Sequence, residues 1–180
     1  MKLTTDRLVL QEITWDDLED VHLLESFREV DEYNTIGIPK NMEETRKNIK
    51  PYIEAKNRTP QKNYTWIIKT KMSNSFIGIA GMSLSLDRFK LGEIFYKLIP
   101  EYWGKGYATE VSKKIIQTGF EVFDLHKIEA GVATENIRSI RVLEKLGMTR
   151  EGLRRKILPI RGVWKDNYHY AIVEDDPRDY

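Results

Sequence analysis

The residue pattern predicts a mixed α/β (α+β) fold in which a mostly antiparallel sheet of about seven strands is flanked by about four helices. Three observations carry that prediction. Three β-rich runs follow one another across short polar connections, Tyr64 to Thr70, Phe76 to Ser83 and Leu91 to Ile99, as in an antiparallel meander. The last run leads into two closely spaced glycines, Gly104 and Gly106, that open a strongly amphipathic helix. A further strand, Lys127 to Ala133, follows, so strand, glycine loop, helix and strand form one crossover unit.

Taken in chain order, Leu8, Leu10 and Ile13 alternate as a first strand. Thr14-Trp15-Asp16-Asp17 sets a threonine cap three residues before an acid and leads into a helix through Leu18, Val21 and Leu24. Phe27 to Lys40 mixes charges with Asn34, Gly37 and Pro39 and shows no period, so no element is predicted there. Asn41-Met42-Glu43-Glu44 reads as a second cap, whose helix runs to about Asn57. In the helix after the glycines, Ala108, Val111, Ile115, Gly119 and Phe120 form one stripe, with Glu110, Lys113, Lys114 and Gln117 largely opposite. That is the spacing of a helix covering a sheet. Asn136 to Leu146 is a short helix closed by Gly147 as a left-handed cap. Met148 to Leu158 and Trp164 to Val173 read as a hairpin around Pro159-Ile160-Arg161-Gly162, with a basic cluster at Arg154, Arg155 and Lys156. Residues 1–173 are expected to be one domain and 174–180 a charged, solvated tail.

Composition excludes several classes of function. Lys plus Arg number 29 against 28 Asp plus Glu, so no field of one sign invites a nucleic acid or a membrane surface. The absence of cysteine removes disulfides, thiolate metal sites and any route through an acyl-cysteine. His22, His126 and His169 lack metal-ligand spacing, so no metal is expected. The N-terminus lacks the apolar core of a signal peptide, and no run approaches the ~20 apolar residues that span a bilayer. A soluble, cytoplasmic protein is expected.

Glycines let a ligand approach the backbone closely. The first N–H groups of a helix lack internal partners and point, with the helix dipole, at whatever sits there. Trp103-Gly104-Lys105-Gly106-Tyr107-Ala108 is therefore a candidate anion cradle, best fitted to a phosphate or pyrophosphate. It is not a P-loop, which needs Gly-x-x-x-x-Gly-Lys-Ser/Thr. Nor is it a dinucleotide fingerprint, which needs a third small residue where Thr109 stands. Taken alone, Gly104 and Gly106 are more plainly explained as a tight turn into a helix.

Context changes that. The run from Pro100 to Glu110 and the block Asn136-Ile137-Arg138-Ser139-Ile140-Arg141-Val142-Leu143-Glu144-Lys145-Leu146-Gly147-Met148 resemble the GNAT acetyltransferases. Within them the likeness is to the group that acetylates ribosomal-protein N-termini and its relatives, whose typical opening Thr5-Asp6-Arg7-Leu8-Val9-Leu10 also has. The family's loop, Arg/Gln-x-x-Gly-x-Gly/Ala, is matched at Gly106 and Ala108, with Trp103 where Arg or Gln is usual. The resemblance covers nearly the whole chain, densely from Glu93 to Gly152. It implies the GNAT fold, acetyl-coenzyme A (acetyl-CoA) as cosubstrate with no metal, and direct acetyl transfer to a primary amine. A protein or peptide N-terminus is the acceptor it suggests. A small amine such as a polyamine, amino acid or antibiotic uses the same cradle, and a non-catalytic acyl-CoA sensor is a further alternative. A homodimer is left open.

By that resemblance the N–H groups of Gly104 to Ala108, Tyr107 included, meet the pyrophosphate. Lys105 is either a nearby positive charge or a solvated loop lysine. A backbone N–H near the end of the preceding strand polarises the thioester carbonyl; Lys97, Leu98 and Ile99 match those positions. One such donor is typically worth ~3 kcal/mol. Transfer needs a neutral amine, so a proton must be accepted, and Glu93 is the candidate base, sharing a strand face with Phe95 and Lys97. An acid paired with a lysine on a solvated face is the plainer reading of Glu93. Phe95 stands where relatives usually have glycine, so its ring is expected to narrow the acceptor channel. Asn136 would hold pantetheine amides and Ser139 would hydrogen-bond or protonate the thiolate, although Asn136 reads equally as a helix cap. Tyr96, Tyr168 and Tyr170 fit alternating strand positions and read as packing residues more than acids, although in some members of the family the chain resembles a tyrosine serves near the sulfur.

Overall fold

The computed structural model describes residues 1–180. The chain runs β1 (Lys2–Thr4), β2 (Leu8–Glu12), α1 (Leu18–Glu25), α2 (Arg28–Asp31), α3 (Met42–Ala55), β3 (Asn63–Thr70), β4 (Phe76–Leu84) and β5 (Leu91–Leu98). It continues through α4 (Tyr107–Glu121), β6 (Lys127–Ala133), α5 (Ile137–Lys145), β7 (Thr149–Ile160) and β8 (Val163–Val173). The strands form one eight-stranded sheet in the order β1-β2-β3-β4-β5-β6-β8-β7. Only β5 and β6 pair in parallel.

The helix starts follow their caps. Thr14 and Asp17 form a capping box, and the Asn41 side chain accepts from Glu44 N at 3.0 Å to begin α3. Two elements lie outside the sequence expectation. β1 is three residues long with one buried side chain, Leu3, too little for a period to show. α2 is a single turn in the stretch where charges hide any periodicity. The hairpin connection is also shorter than expected. Arg161 and Gly162, at φ 47° and 77°, make a two-residue turn while Pro159 and Ile160 stay paired with Trp164 and Val163. Pro159 is tolerated because β7 is the edge of the sheet.

The sheet buries both faces. On one, α4 and α5 bring Val111, Ile115, Ile116 and Leu143 against Trp66, Met82, Ile94, Leu98 and Ile128. On the other, α1 and α3 bring Val21, Leu24, Ile49 and Ile53 against Ile67, Ile79 and Ile99. Each such aliphatic side chain stabilises the fold by roughly 1.5–3 kcal/mol. Gly119 allows α4 to sit close to the sheet, since a Cβ there would lie 2.6 Å from Ile128.

The C-terminal segment departs from its expected solvation. Tyr180 is half-buried and donates to Leu146 O at 2.8 Å, while Arg178 lies 4.3 Å from the Phe120 ring centroid and Lys113 pairs with Asp179 at 2.7 Å. The aromatic terminus and two cation contacts hold against α4 what its acid content suggested would float. No helix is long and apolar enough to cross a membrane.

Candidate active site

The site begins where two strands part. The parallel β5–β6 ladder runs through Leu91–Lys127, Gly92–Ile128 and Glu93–Glu129 and stops there, although β5 continues to Leu98 and β6 to Ala133. The gap opens into a cavity of about 790 Å³. On β5, Ser85 N bonds Leu91 O and Ile99 N bonds Ile77 O, each at 2.9 Å. Alternation therefore commits the backbone groups of the odd-numbered residues to β4 and turns those of Ile94, Tyr96 and Leu98 toward the gap. Of the three positions matched from sequence, Leu98 alone has an N–H facing the cavity. Those of Lys97 and Ile99 are directed to β4.

The glycine loop closes one end of the cavity. Gly104 and Gly106 have φ of 74° and 80°, the left-handed region that favours glycine, and Gly106 caps α4. The first bond inside α4 runs from Glu110 N to Gly106 O at 3.0 Å, which leaves the N–H groups of Tyr107, Ala108 and Thr109 for an external acceptor. All three residues line the cavity, as do Trp103, Gly104 and Gly106. Trp103, the departure from the family pattern, is an anchor: its Nε1 donates to Leu98 O at 2.7 Å, and the Arg138 guanidinium lies 4.9 Å from its ring centroid. Arg138, Arg141 and Lys145 of α5 line the same cavity and give it a basic rim suited to phosphate. Lys105 does not line it; its ammonium lies 5.4 Å from the Tyr102 ring centroid.

Mid-cavity, the Tyr96 and Ser139 hydroxyls are 2.6 Å apart. Burial pushes the Tyr96 phenol up to about 12, against the opposing pull of the Ser139 hydrogen bond. Tyr96 thus brings a polar hydroxyl to the cavity it lines as well as packing. Asn136 caps α5 by accepting from Ser139 N at 3.1 Å, so its Nδ2 amide is what it can offer the cavity it lines. Cap and lining coexist in one side chain.

The opposite face of β5 carries Phe95 and Lys97. Lys97 Nζ pairs with both carboxylate oxygens of Glu25 on α1, at 2.8 and 3.1 Å. Phe95 lies 6.2 Å from the Tyr52 ring in a stacked arrangement, over Gly81, where a Cβ would clash with it at 2.3 Å. Burial and the Glu25 charge raise the Tyr52 phenol above its ordinary range. Glu29, Val30, Tyr33 and Asn34 line this end of the cavity. The hairpin tip straps it: Arg161 donates to the buried Asp31 carboxylate at 3.0 Å and to Glu32 O at 2.7 Å. Glu93 stands apart from these residues. It is exposed, does not line the cavity and is paired across the ladder with Glu129.

His169, Glu129 and Glu151 converge with ligand atoms within 4.8 Å of one another, a juxtaposition their sequence spacing hides. Lys127 already supplies a cation there, 2.7 Å from Glu151 and 3.7 Å from Glu129.

The family model described as Acetyltransferase (GNAT) domain matches residues 7–149. The chain is 32% identical over 172 residues to the uncharacterized N-acetyltransferase YoaA of Bacillus subtilis, covering 96% of each chain. Its fold is shared with the spermidine N-acetyltransferase of Vibrio cholerae solved with CoA and spermine, at TM-score 0.79 and 21% identity over 93% of this chain and 95% of that one. It is shared also with the ribosomal-protein-S5-alanine acetyltransferase of Vibrio fischeri, at TM-score 0.78 and 22% identity over 98% of each. With a parted β5–β6 pair, a left-handed glycine loop and a family match over most of its length, the chain belongs to the GNAT family and is an acetyl-CoA-dependent N-acetyltransferase.

Proposed function

We propose that the chain acetylates the free amino terminus of a protein or peptide, with acetyl-CoA bound in the β5–β6 gap. The choice of acceptor is supported by the likeness to the ribosomal-protein-S5-alanine acetyltransferase, and the transfer itself by the Tyr96–Ser139 hydroxyl pair, 2.6 Å apart on the cavity wall. Bound acetyl-CoA supplies an activated acyl thioester. The N–H groups of Tyr107, Ala108 and Thr109, with Gly104, Gly106 and the basic rim of α5, fit its pyrophosphate. Leu98 N–H fits the thioester carbonyl, where a donor aimed at the developing oxyanion contributes ~3 kcal/mol. As the new C–N bond forms and the C–S bond breaks, the amine gives up a proton and the sulfur takes one. Tyr96 is the donor to sulfur, with Ser139 holding its hydroxyl in place, and Asn136 Nδ2 is directed to the pantetheine amides. Glu93 is exposed and off the cavity wall, so the amine's proton leaves to solvent water, from which Tyr96 is reprotonated.

A polyamine is the second reading, favoured by the Glu29 carboxylate on the cavity wall and by the fold shared with the spermidine N-acetyltransferase. Thiol release measured across short peptides, polyamines and amino acids decides between them. Turnover of peptides with a free N-terminus, lost on blocking that amine, supports the first reading; turnover of polyamines alone overturns it.

A further inference from the structure

We propose that Arg7 is a positioning residue for the glycine loop, pinning the Lys105 carbonyl on the far side of the chain so that the next N–H faces the cavity. The inference rests on the reading that this loop holds pyrophosphate. Gly106, which lets the backbone approach a ligand, also leaves the Lys105–Gly106 peptide with little resistance to rotation on that side. Something outside the loop must hold it. Arg7 NH1 donates to Lys105 O at 3.0 Å. In a trans peptide the carbonyl and the following N–H point in opposite directions, so fixing the first on Arg7 turns Gly106 N–H away from Arg7.

Arg7 is itself held. Its Nε donates to Glu110 Oε2 at 2.6 Å and its backbone N to Glu110 Oε1 at 2.9 Å. Thr5 Oγ1 donates to that same Oε1 at 2.5 Å. Glu110 sits in the first turn of α4, where the helix dipole favours its charge. Burial pushes the Glu110 carboxyl up, but the hydrogen bonds from Thr5 and Arg7 together leave it below the usual carboxylate range. The guanidinium also stacks on Tyr107, 4.3 Å from the ring centroid. The side chain remains 47% exposed, so it serves loop geometry more than the core.

The test compares acetyl-CoA with acetyl-pantetheine, which carries the same thioester and no pyrophosphate. In Arg7→Gln, KM for acetyl-CoA should rise about tenfold with kcat held, the effect of one lost charged hydrogen bond. The constants for acetyl-pantetheine should stay at the wild-type values. Arg7→Lys, which keeps the charge but not the two-partner fork, should fall between. An equal loss with both thioesters would mean a merely structural role, and no change with either would mean none; each overturns the proposal. If wild-type protein shows the same KM for both thioesters, the pyrophosphate reading itself falls and takes this inference with it.

Discussion

On the α4–α5 side of β5 the cleft is made of backbone: Leu98 N–H, two left-handed glycines and the open first turn of α4, with Asn136 and Ser139 three residues apart on α5. On the α1–α3 side it is made of side chains drawn from distant segments, Lys97 with Glu25, Phe95 with Tyr52 and Arg161 with Asp31. A backbone site needs only that the chain turn and cap in the right places, so short local patterns encode it. A side-chain site depends on which helices happen to meet, so its shape, and the choice of amine, is set by tertiary packing. The first half fits one ligand chemistry whatever the acceptor; the second is where relatives can diverge.

The largest effect is expected on the backbone side. Gly106→Val forces a β-branched residue to φ 80° and should weaken acetyl-CoA binding about a hundredfold by calorimetry. Retained affinity would mean that the loop is not the cradle. Next, Tyr96→Phe should lower kcat about a hundredfold while leaving acetyl-CoA affinity unchanged. The same variant has a pH signature. Folded Tyr96 titrates near 12 instead of its ordinary 10.0, so the stability it contributes is complete below pH 10.0 and is lost as pH rises through about 12. Alkaline unfolding midpoints should therefore fall less steeply over that window in Tyr96→Phe than in wild type. The smallest effect belongs to Glu93→Gln, expected within about twofold of wild-type kcat/KM because the carboxylate is exposed and off the cavity wall. A loss as large as that of Tyr96→Phe would restore Glu93 as the base and move the proton path to the acceptor face.

The same division governs what the residues disclose on their own. Caps, glycine turns and the meander were legible because each is encoded within a few residues, as at Thr14–Asp17, Asn41–Glu44 and Gly106. Motif positions mark Leu98, Asn136 and Ser139, all of which line the cavity, and only the ladder's alternation singles out Leu98 from its neighbours. Strand alternation alone does not tell Tyr96 from Tyr168 or Tyr170; the fold does, by bringing the Tyr96 hydroxyl to Ser139. Arg7 and Glu110 were illegible as a pair: 103 residues separate them, and Glu110 reads as the solvated side of a helix. The tail misled because its acids outweighed Tyr180 in composition, whereas that one ring finds a place beside Leu146.

The central claim is that acetyl-CoA lies between β5 and β6 with its pyrophosphate on the start of α4 and its thioester at Leu98. An amide-resolved NMR titration with coenzyme A tests it most directly. The expected result is that the largest shifts fall at Leu98 and from Gly104 to Thr109, with Ser139 next and Glu93 unmoved. Shifts clustered around Glu93 and Glu129 with the glycine loop silent would contradict it.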